Sequence, residues 1–333
     1  MKKILMIGGT GTISMAITKA LAQDESIELY VLNRGKNNRP LAAAVHQLVA
    51  DIHDAPQVTH VLADLHFDCV CDFITYTPDQ AQQAIRQFAG RTAQYIFVST
   101  VATYDRSRGY NFAETTRQGN VYSAYGQAKQ ACEAIFLDAY QVQQFPVCIV
   151  RPSQTYNDDR LPLSIKGKTI DGVISRMRRS LPVIIHGDGT SLWTMTHSDD
   201  FRDAFIALLG RSETLGQCYQ IMGDDVRCWN EIYAILGAKL GVELHSVHLT
   251  SELLAKSKVY DFYGSILGDK QYSSVFDTRK IHQLAPQWQP AIHIEEGIDR
   301  YLRAHPNAIP EADFDDWCAL VLADPSRLAR GEA

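Results

Sequence analysis

The opening stretch KKILMIGGTGTISMAITKALAQ constrains this chain more than any other. A short apolar run of strand type passes directly into Gly8, Gly9 and Gly11, and a helical run begins at once behind them. Glycines at such a turn let the backbone fold tightly and bring a helix N-terminus against a pyrophosphate, whose charge the free N–H groups and the helix dipole favour. A glycine triplet alone is a weak signal. Placed between a strand and a helix it predicts a dinucleotide site, with Gly8, Gly11, Thr12 and Ile13 lying against the cofactor.

The segments that follow sustain this reading. IELYVLN, HQLVAD, FDCVCDFI, AQYIFVST and FPVCIVRP read as strands, and DQAQQAIRQFAG and SAYGQAKQACEAIFLDAYQ as helices between them. Strands alternating with helices argue for a parallel sheet with crossover connections. The expected fold class is therefore α/β, a Rossmann-type doubly wound parallel sheet with a smaller C-terminal substrate lobe. The expected division is a nucleotide-binding domain over 1–155 and a mainly substrate-binding lobe over 156–333, some of whose elements return to the main sheet. A chain of 333 residues with 46% hydrophobic and 21% charged content can build both.

A net charge of -6 and a pI near 6.0 supply no basic field of the kind nucleic acid or an anionic membrane attracts. No apolar run reaches the roughly 20 residues a spanning helix needs, and the N-terminal run enters the glycines without a signal-peptide cleavage site. Of seven cysteines only Cys69 and Cys71 lie close together, without a second pair at metal-site spacing. They read as buried free thiols, no metal is expected, and the compartment expected is the reducing cytoplasm.

The second strand ends at Leu32-Asn33-Arg34, where an NAD site usually places an acid for the ribose hydroxyls. Asn33 leaves room for a 2′-phosphate and Arg34 offers it a planar donor fork, so NADP is expected slightly ahead of NAD. Asp51 and Ile52, after the third strand, are placed to flank the adenine; Asp51 reads equally as a helix cap.

Tyr125 and Lys129 stand four apart in a helical run, which puts phenol and ammonium on one face. An ammonium about 4 Å away contributes on the order of 4 kcal/mol at an effective dielectric near 20, enough to lower the phenol pKa by roughly 3 units before desolvation opposes it. Such a pair can exchange the proton that accompanies hydride transfer. Ser99 and Thr100, ending the strand upstream at the ligand-binding edge of the sheet, offer hydroxyls to the reacting oxygen.

Taken in order, GGTGTI, STVATY, YGQAK and VRPS resemble the extended short-chain dehydrogenase/reductase superfamily in its NAD-dependent epimerase/dehydratase family, over at least residues 1–230. HGDGTSLWTMTHSDDFRDAF and FDTRKIHQLAPQWQP extend the likeness. The resemblance implies an NAD(P)-dependent epimerase or oxidoreductase acting on a sugar or sugar nucleotide, with Thr100, Tyr125 and Lys129 catalytic, and a homodimer. It places Phe73, Ile74, Thr75, Pro152 and Ser153 beside the cofactor, and Ser99, Gln154, Trp193 and His197 beside the substrate. Ser14 departs from the third fingerprint glycine, a change that bears on helix-to-sheet packing and on the cofactor's position; tolerance is expected, since serine is small. Val101 and Ala102 stand where 4,6-dehydratases of the family carry an Asp-Glu pair, which argues against dehydration. Trp193 stands where an arginine commonly grips the diphosphate; Arg160, Lys166, Lys168, Arg176, Arg178 and Arg179 are the basic residues available to replace it. GGTGTIS, LNRG and DFITYTP are also similar to the chloroplast stem-loop-binding branch, which implies an RNA-binding alternative that the acidic charge disfavours.

Overall fold

The computed structural model describes residues 1–36 and 40–333. In chain order the first half runs β1 (Lys2–Ile7), α1 (Ser14–Leu21), β2 (Ile27–Asn33), β3 (His46–Val49), α2 (Ala55–Leu62), β4 (Cys69–Asp72), α3 (Pro78–Phe88), β5 (Tyr95–Val98), β6 (Asn111–Phe112), α4 (Ala124–Gln143), β7 (Val147–Pro152) and β8 (Gln154–Tyr156). The second continues with α5 (Asp171–Arg178), β9 (Val183–His186), β10 (Leu192–His197), α6 (Ser198–Ile206), β11 (Cys218–Ile221), β12 (Asp225–Cys228), α7 (Trp229–Leu240), β13 (Ser246–Leu249) and α8 (Ser251–Leu254). A π-helical stretch Tyr263–Lys270, β14 (Val275–Phe276), α9 (Arg279–Leu284), α10 (Ile294–Ala304), α11 (Ala312–Ala323) and α12 (Ser326–Arg330) complete it.

Seven strands form one parallel sheet in the order β11-β7-β5-β4-β1-β2-β3. The sequence reverses direction across the sheet at β1, which opens the crevice between β1 and β4 at the carboxyl ends of the strands. Alternation along β1 explains why both faces are covered. Leu5 and Ile7 pack with Val58, Leu62, Ala84 and Phe88 of α2 and α3, while Ile4 and Met6 pack with Ile17 and Leu21 of α1 and Phe201 and Phe205 of α6. A side chain such as Phe136 of α4, fully buried, contributes about 1.5–3 kcal/mol by its removal from water. Cys69 and Cys71 lie buried on one face of β4, 3.8 Å apart.

The fragment β11 crosses back from the later chain to extend this sheet. A separate core gathers Trp193, Trp229, Tyr233, Phe314 and Trp317 under the three-stranded sheet β12-β10-β8. Among the described residues no helix is long and apolar enough to cross a membrane.

Candidate active site

Gly8 adopts φ +77, and a Cβ there would come within 2.6 Å of Ile74 Cγ2, so only glycine leaves this part of the crevice open. Ser14 closes the turn: its hydroxyl donates to the Gly8 carbonyl at 2.7 Å and accepts the Gly11 N–H at 2.8 Å. Serine is accommodated at this position, as its small size leads one to expect; Ser14 is 1% exposed and ties the loop to the first turn of α1. From this loop a groove runs in two directions. A recess of about 240 Å³ holds Asn33, Arg34, Ile52 and Ile74. A cleft of about 380 Å³ holds Thr12, Ile13, Phe73, Ser99, Thr100, Tyr125, Lys129, Pro152, Ser153 and Gln154. Gly8, Gly11 and Ile74 line both, so the groove has the continuity a dinucleotide requires.

Packing of the Thr100 turn against α4 positions the hydroxyls and the phenol. Thr100 Oγ1 accepts the Ala102 N–H at 3.1 Å, capping a single turn over Val101–Thr103. Ser123 caps α4 by accepting the Gly126 N–H at 3.0 Å. Gly126 admits the close approach between them, since a Cβ there would lie 2.2 Å from the Ala102 carbonyl oxygen. Ser99 is 2% exposed, and its Oγ has no partner among the described residues although the residue lines the cleft.

Lys129 is held by the sheet. Its Nζ donates to the carbonyls of Thr75 at 2.6 Å and Val98 at 2.8 Å, at the ends of β4 and β5, and lies over the rings of Tyr76 and Phe97. Beneath it the buried carboxylate of Asp72 accepts from the Thr75 hydroxyl, the Tyr95 hydroxyl and the amides of Ile74 and Thr75. Burial pushes the Lys129 amine down to about 8, with Asp72 opposing. Tyr125 differs from the expectation. Burial, followed by the neighbouring Tyr76, pushes its phenol up to about 12, with a hydrogen bond from Thr100 opposing. The donors of Lys129 are directed at carbonyls and none at the phenol, so the lowering expected from the four-residue spacing is not delivered; Tyr125 itself is 48% exposed.

Three further placements correct the sequence reading. Thr75 does not line the groove: it is 2% exposed, and it supplies the carbonyl that holds Lys129. Asp51 accepts the His53 N–H at 3.1 Å in a local turn, while its neighbours Ala50 and Ile52 line the recess. His197 is buried, accepts the Asp199 N–H through Nδ1 at 3.2 Å and meets Asp158 through Nε2 at 3.1 Å, which makes it a cap for α6 instead of a cleft residue. Tyr76 lines the cleft beside Tyr125, ring centroids 6.3 Å apart. Sequence reasoning missed it, although it directly follows the motif.

A second pocket of about 440 Å³ opens on the far side of Tyr125 and Thr100, walled by Tyr122, Trp193, Tyr263 and Lys270. Asn120 ties its two sides, donating to the Ala102 carbonyl at 2.9 Å and the Gly268 carbonyl at 2.7 Å. Among the basic residues considered from sequence, Arg160 lines the cleft. Arg176 and Arg179 pair with Asp315, and Arg178 donates to the Pro306 carbonyl.

Fold and groove define an α/β protein built to bind a dinucleotide. Residues 4–221 match the NAD dependent epimerase/dehydratase family, and the chain belongs to it. The mouse dTDP-D-glucose 4,6-dehydratase is 22% identical over 348 residues, covering 95% of this chain and 90% of that protein. The UDP-glucuronic acid 4-epimerase of Bacillus cereus, solved with UDP-glucuronic acid and NAD, superposes with a TM-score of 0.71 at 18% identity, covering 91% of this chain and 99% of that one. The dTDP-glucose 4,6-dehydratase of Bacillus anthracis, solved with NAD, gives a TM-score of 0.71 at 16% identity, covering 92% and 97%. The family description and both structures name NAD, so the expected lead of NADP finds no support. Nor do the dehydratase names support the argument against dehydration drawn from Val101 and Ala102.

Proposed function

We propose that this protein oxidises and re-reduces a hydroxyl-bearing carbon of a nucleotide sugar with NAD(H), using Tyr125 to exchange the hydroxyl proton. The carrying observation is that Tyr125, Thr100, Ser99 and Lys129 line the same cleft as the glycine turn. The groove suits the cofactor: Gly8 and Gly11 would hold its pyrophosphate, Asn33, Arg34 and Ile52 its adenosine end, and Pro152 and Ser153 its nicotinamide end. When bound, a nicotinamide supplies hydride acceptance and return together with a positive charge.

The chain's own residues handle the oxygen and its proton. Ser99 Oγ, buried and without a partner, and Thr100 Oγ1 receive the reacting substrate oxygen. Tyr125 keeps its proton at neutral pH and gives it to that oxygen in the reductive direction; in the oxidative direction the phenolate takes the proton back, a form that the positive charge of a bound oxidised nicotinamide would favour. Lys129 fixes the ends of β4 and β5 and adds its charge behind the Tyr76 ring. Epimerisation is the first reading, supported by the likeness to the UDP-glucuronic acid 4-epimerase. Dehydration is the second reading, carried by the names of the relatives and by Asp261 and Asp269, two carboxylates elsewhere in the substrate-side pocket.

Tyr125→Phe lowers turnover of UDP-glucuronic acid, UDP-glucose or dTDP-glucose by about 10²–10⁴-fold while NADH binding is retained. Chromatography of the products separates a 4-epimer from a 4-keto-6-deoxy sugar. Unchanged turnover in the variant would remove Tyr125 from the chemistry.

A further inference from the structure

Asp72 ends β4 as a fully buried carboxylate on which four donors converge. One oxygen accepts the amides of Ile74 at 2.8 Å and Thr75 at 3.1 Å; the other accepts the hydroxyls of Thr75 at 2.5 Å and Tyr95 at 2.6 Å. The two amide bonds make a turn in which a side chain takes up backbone donors, and they fix the chain as it leaves the strand. All four donors are neutral. The Lys129 ammonium, 1% exposed, is held by neutral groups in the same way: two carbonyls and two aromatic faces. Thr75 joins the two charges, its amide and hydroxyl facing Asp72 and its carbonyl facing Lys129.

The other groups around the ammonium do not supply a negative charge. Glu133, one turn further along α4, is committed to Arg151 through bonds of 2.9 Å and 2.5 Å. Burial pushes the Cys132 thiol up to about 11 and the Tyr125 phenol up to about 12. Burial, with Asp72 adding to it, also raises the phenols of Tyr76 and Tyr95. These four groups are therefore neutral near pH 7. Among the described residues that act on Lys129, Asp72 is the anion without a cation of its own, and it opposes the burial that lowers the amine.

We infer that Asp72 is a positioning residue for the reaction, one that aims the Thr75 carbonyl at Lys129 and sustains the charge of that buried ammonium behind Tyr125. The inference rests on reading Tyr125 and Lys129 as the reacting pair. A buried ammonium is costly without an anion in reach, and removing one partner of such a pair leaves the other uncompensated. With Asp72 made neutral, Lys129 releases its proton at lower pH, and the Tyr125 phenolate loses a charge that favours it.

Asp72→Asn tests the charge, because the amide keeps the shape and the Thr75 and Tyr95 hydroxyls can turn to accept from its NH2 group. Urea denaturation from about pH 5 to about pH 10.5 is read for each protein relative to its Lys129→Met counterpart, so that other titrating groups cancel. The rise of stability with pH that Lys129 contributes is expected to begin roughly one pH unit lower, or more, in Asp72→Asn than in the unmodified protein. Tyr95→Phe removes a donor and keeps the charge, and is expected to leave the onset in place. An unmoved onset in Asp72→Asn, or an equal movement in Tyr95→Phe, overturns the inference. If Asp72→Asn shows no cooperative transition, Asp72→Asn/Lys129→Met is expected to regain one, since methionine needs no anion; a double variant that stays unfolded overturns it as well. Turnover of UDP-glucuronic acid supplies the catalytic readout: kcat of Asp72→Asn at pH 7 is expected to fall about ten-fold or more with KM changed less than about three-fold, and an unchanged kcat overturns the positioning role. Tyr125→Phe in the same assay keeps the two readings apart, because unchanged turnover there counts against the proposed reaction and leaves the pH dependence of stability to decide the coupling of Asp72 to Lys129.

Discussion

Lys129 and Lys270 are two desolvated amines on opposite sides of Tyr125, one in the nucleotide-binding half and one among the later elements, and their surroundings differ. Lys129 has two carbonyls within 2.8 Å and two aromatic faces around it. Lys270 has one acceptor at 3.4 Å. Strand ends of a parallel sheet present carbonyls in fixed positions whatever the side chains are, so the first lysine is satisfied by the fold itself. The pocket around Lys270 is assembled from a turn, a π-helical stretch and an edge of β10, which offer its ammonium no such pair of carbonyls. The comparison teaches that a cation placed at the strand ends of a parallel sheet is satisfied by backbone carbonyls, whereas one carried on an irregular segment is not.

The largest expected effect tests whether Lys129 really is a desolvated cation held by carbonyls. Its pKa falls from 10.5 to about 8 on folding. Below pH 8 folded and unfolded chains both carry the proton, and the burial penalty on the charge acts in full. Between about 8 and 10.5 the folded protein has released a proton that the unfolded chain still binds, so stability rises with pH. Relative to Lys129→Met, the unmodified protein should gain about 3 kcal/mol across that window. Urea denaturation of both proteins at about pH 7.5 and about pH 10.5 measures it; a difference that does not change with pH would show that Lys129 is not desolvated.

A smaller effect contrasts packing on the two sides. Gly126→Ala drives a methyl group into the Ala102 carbonyl and separates α4 from the Thr100 turn. The expected destabilisation is about 1–3 kcal/mol, and displacement of Tyr125 from Thr100 by about 1 Å should lower turnover roughly a hundred-fold. Gly264→Ala, in the π-helical stretch, meets its nearest neighbour at an ordinary 3.5 Å and should change stability by less than about 0.5 kcal/mol. Denaturant midpoints and initial rates for the pair report both predictions. Equal tolerance at the two glycines would erase the contrast between the tight contact of α4 with the Thr100 turn and the open surroundings of the π-helical stretch.

What could be read from the sequence follows the same division. The glycine turn, the Tyr125–Lys129 spacing and the hydroxyls after β5 lie within short segments whose periodicity fixes their direction, and the structure brings them to one groove. Thr75 and Tyr76 were harder: adjacent residues at a strand end point opposite ways, and only the packed sheet shows that Thr75 turns inward to Asp72 while Tyr76 faces the cleft. His197 carried no local mark of its role as a cap. Lys270 stands 145 residues beyond Tyr125 in sequence, in a segment without helical or strand periodicity. Nothing short of the tertiary contacts of its carbonyl with His186, Ser191 and Trp229 brings it to the pocket. The Tyr125 phenol shows a different limit, because the spacing names Lys129 as its neighbour and does not show that the ammonium is directed at the Thr75 and Val98 carbonyls.

The smallest effect falls at the far end of the groove, where Arg34 and Asn33 line the adenosine recess. Asn33 Oδ1 accepts the Gly35 N–H at 2.9 Å, which shapes the turn without placing a negative charge against a 2′-phosphate. Arg34 is exposed, so solvent screening limits what its charge contributes. Arg34→Ala should weaken NADPH about five-fold and NADH less than about two-fold, the difference being the guanidinium's contact with the extra phosphate. Fluorescence titrations of both cofactors, with and without added salt, measure the ratio. A selective loss would show that the adenosine recess still tolerates the second dinucleotide; equal losses would mean that Arg34 reads only the phosphates the two cofactors share.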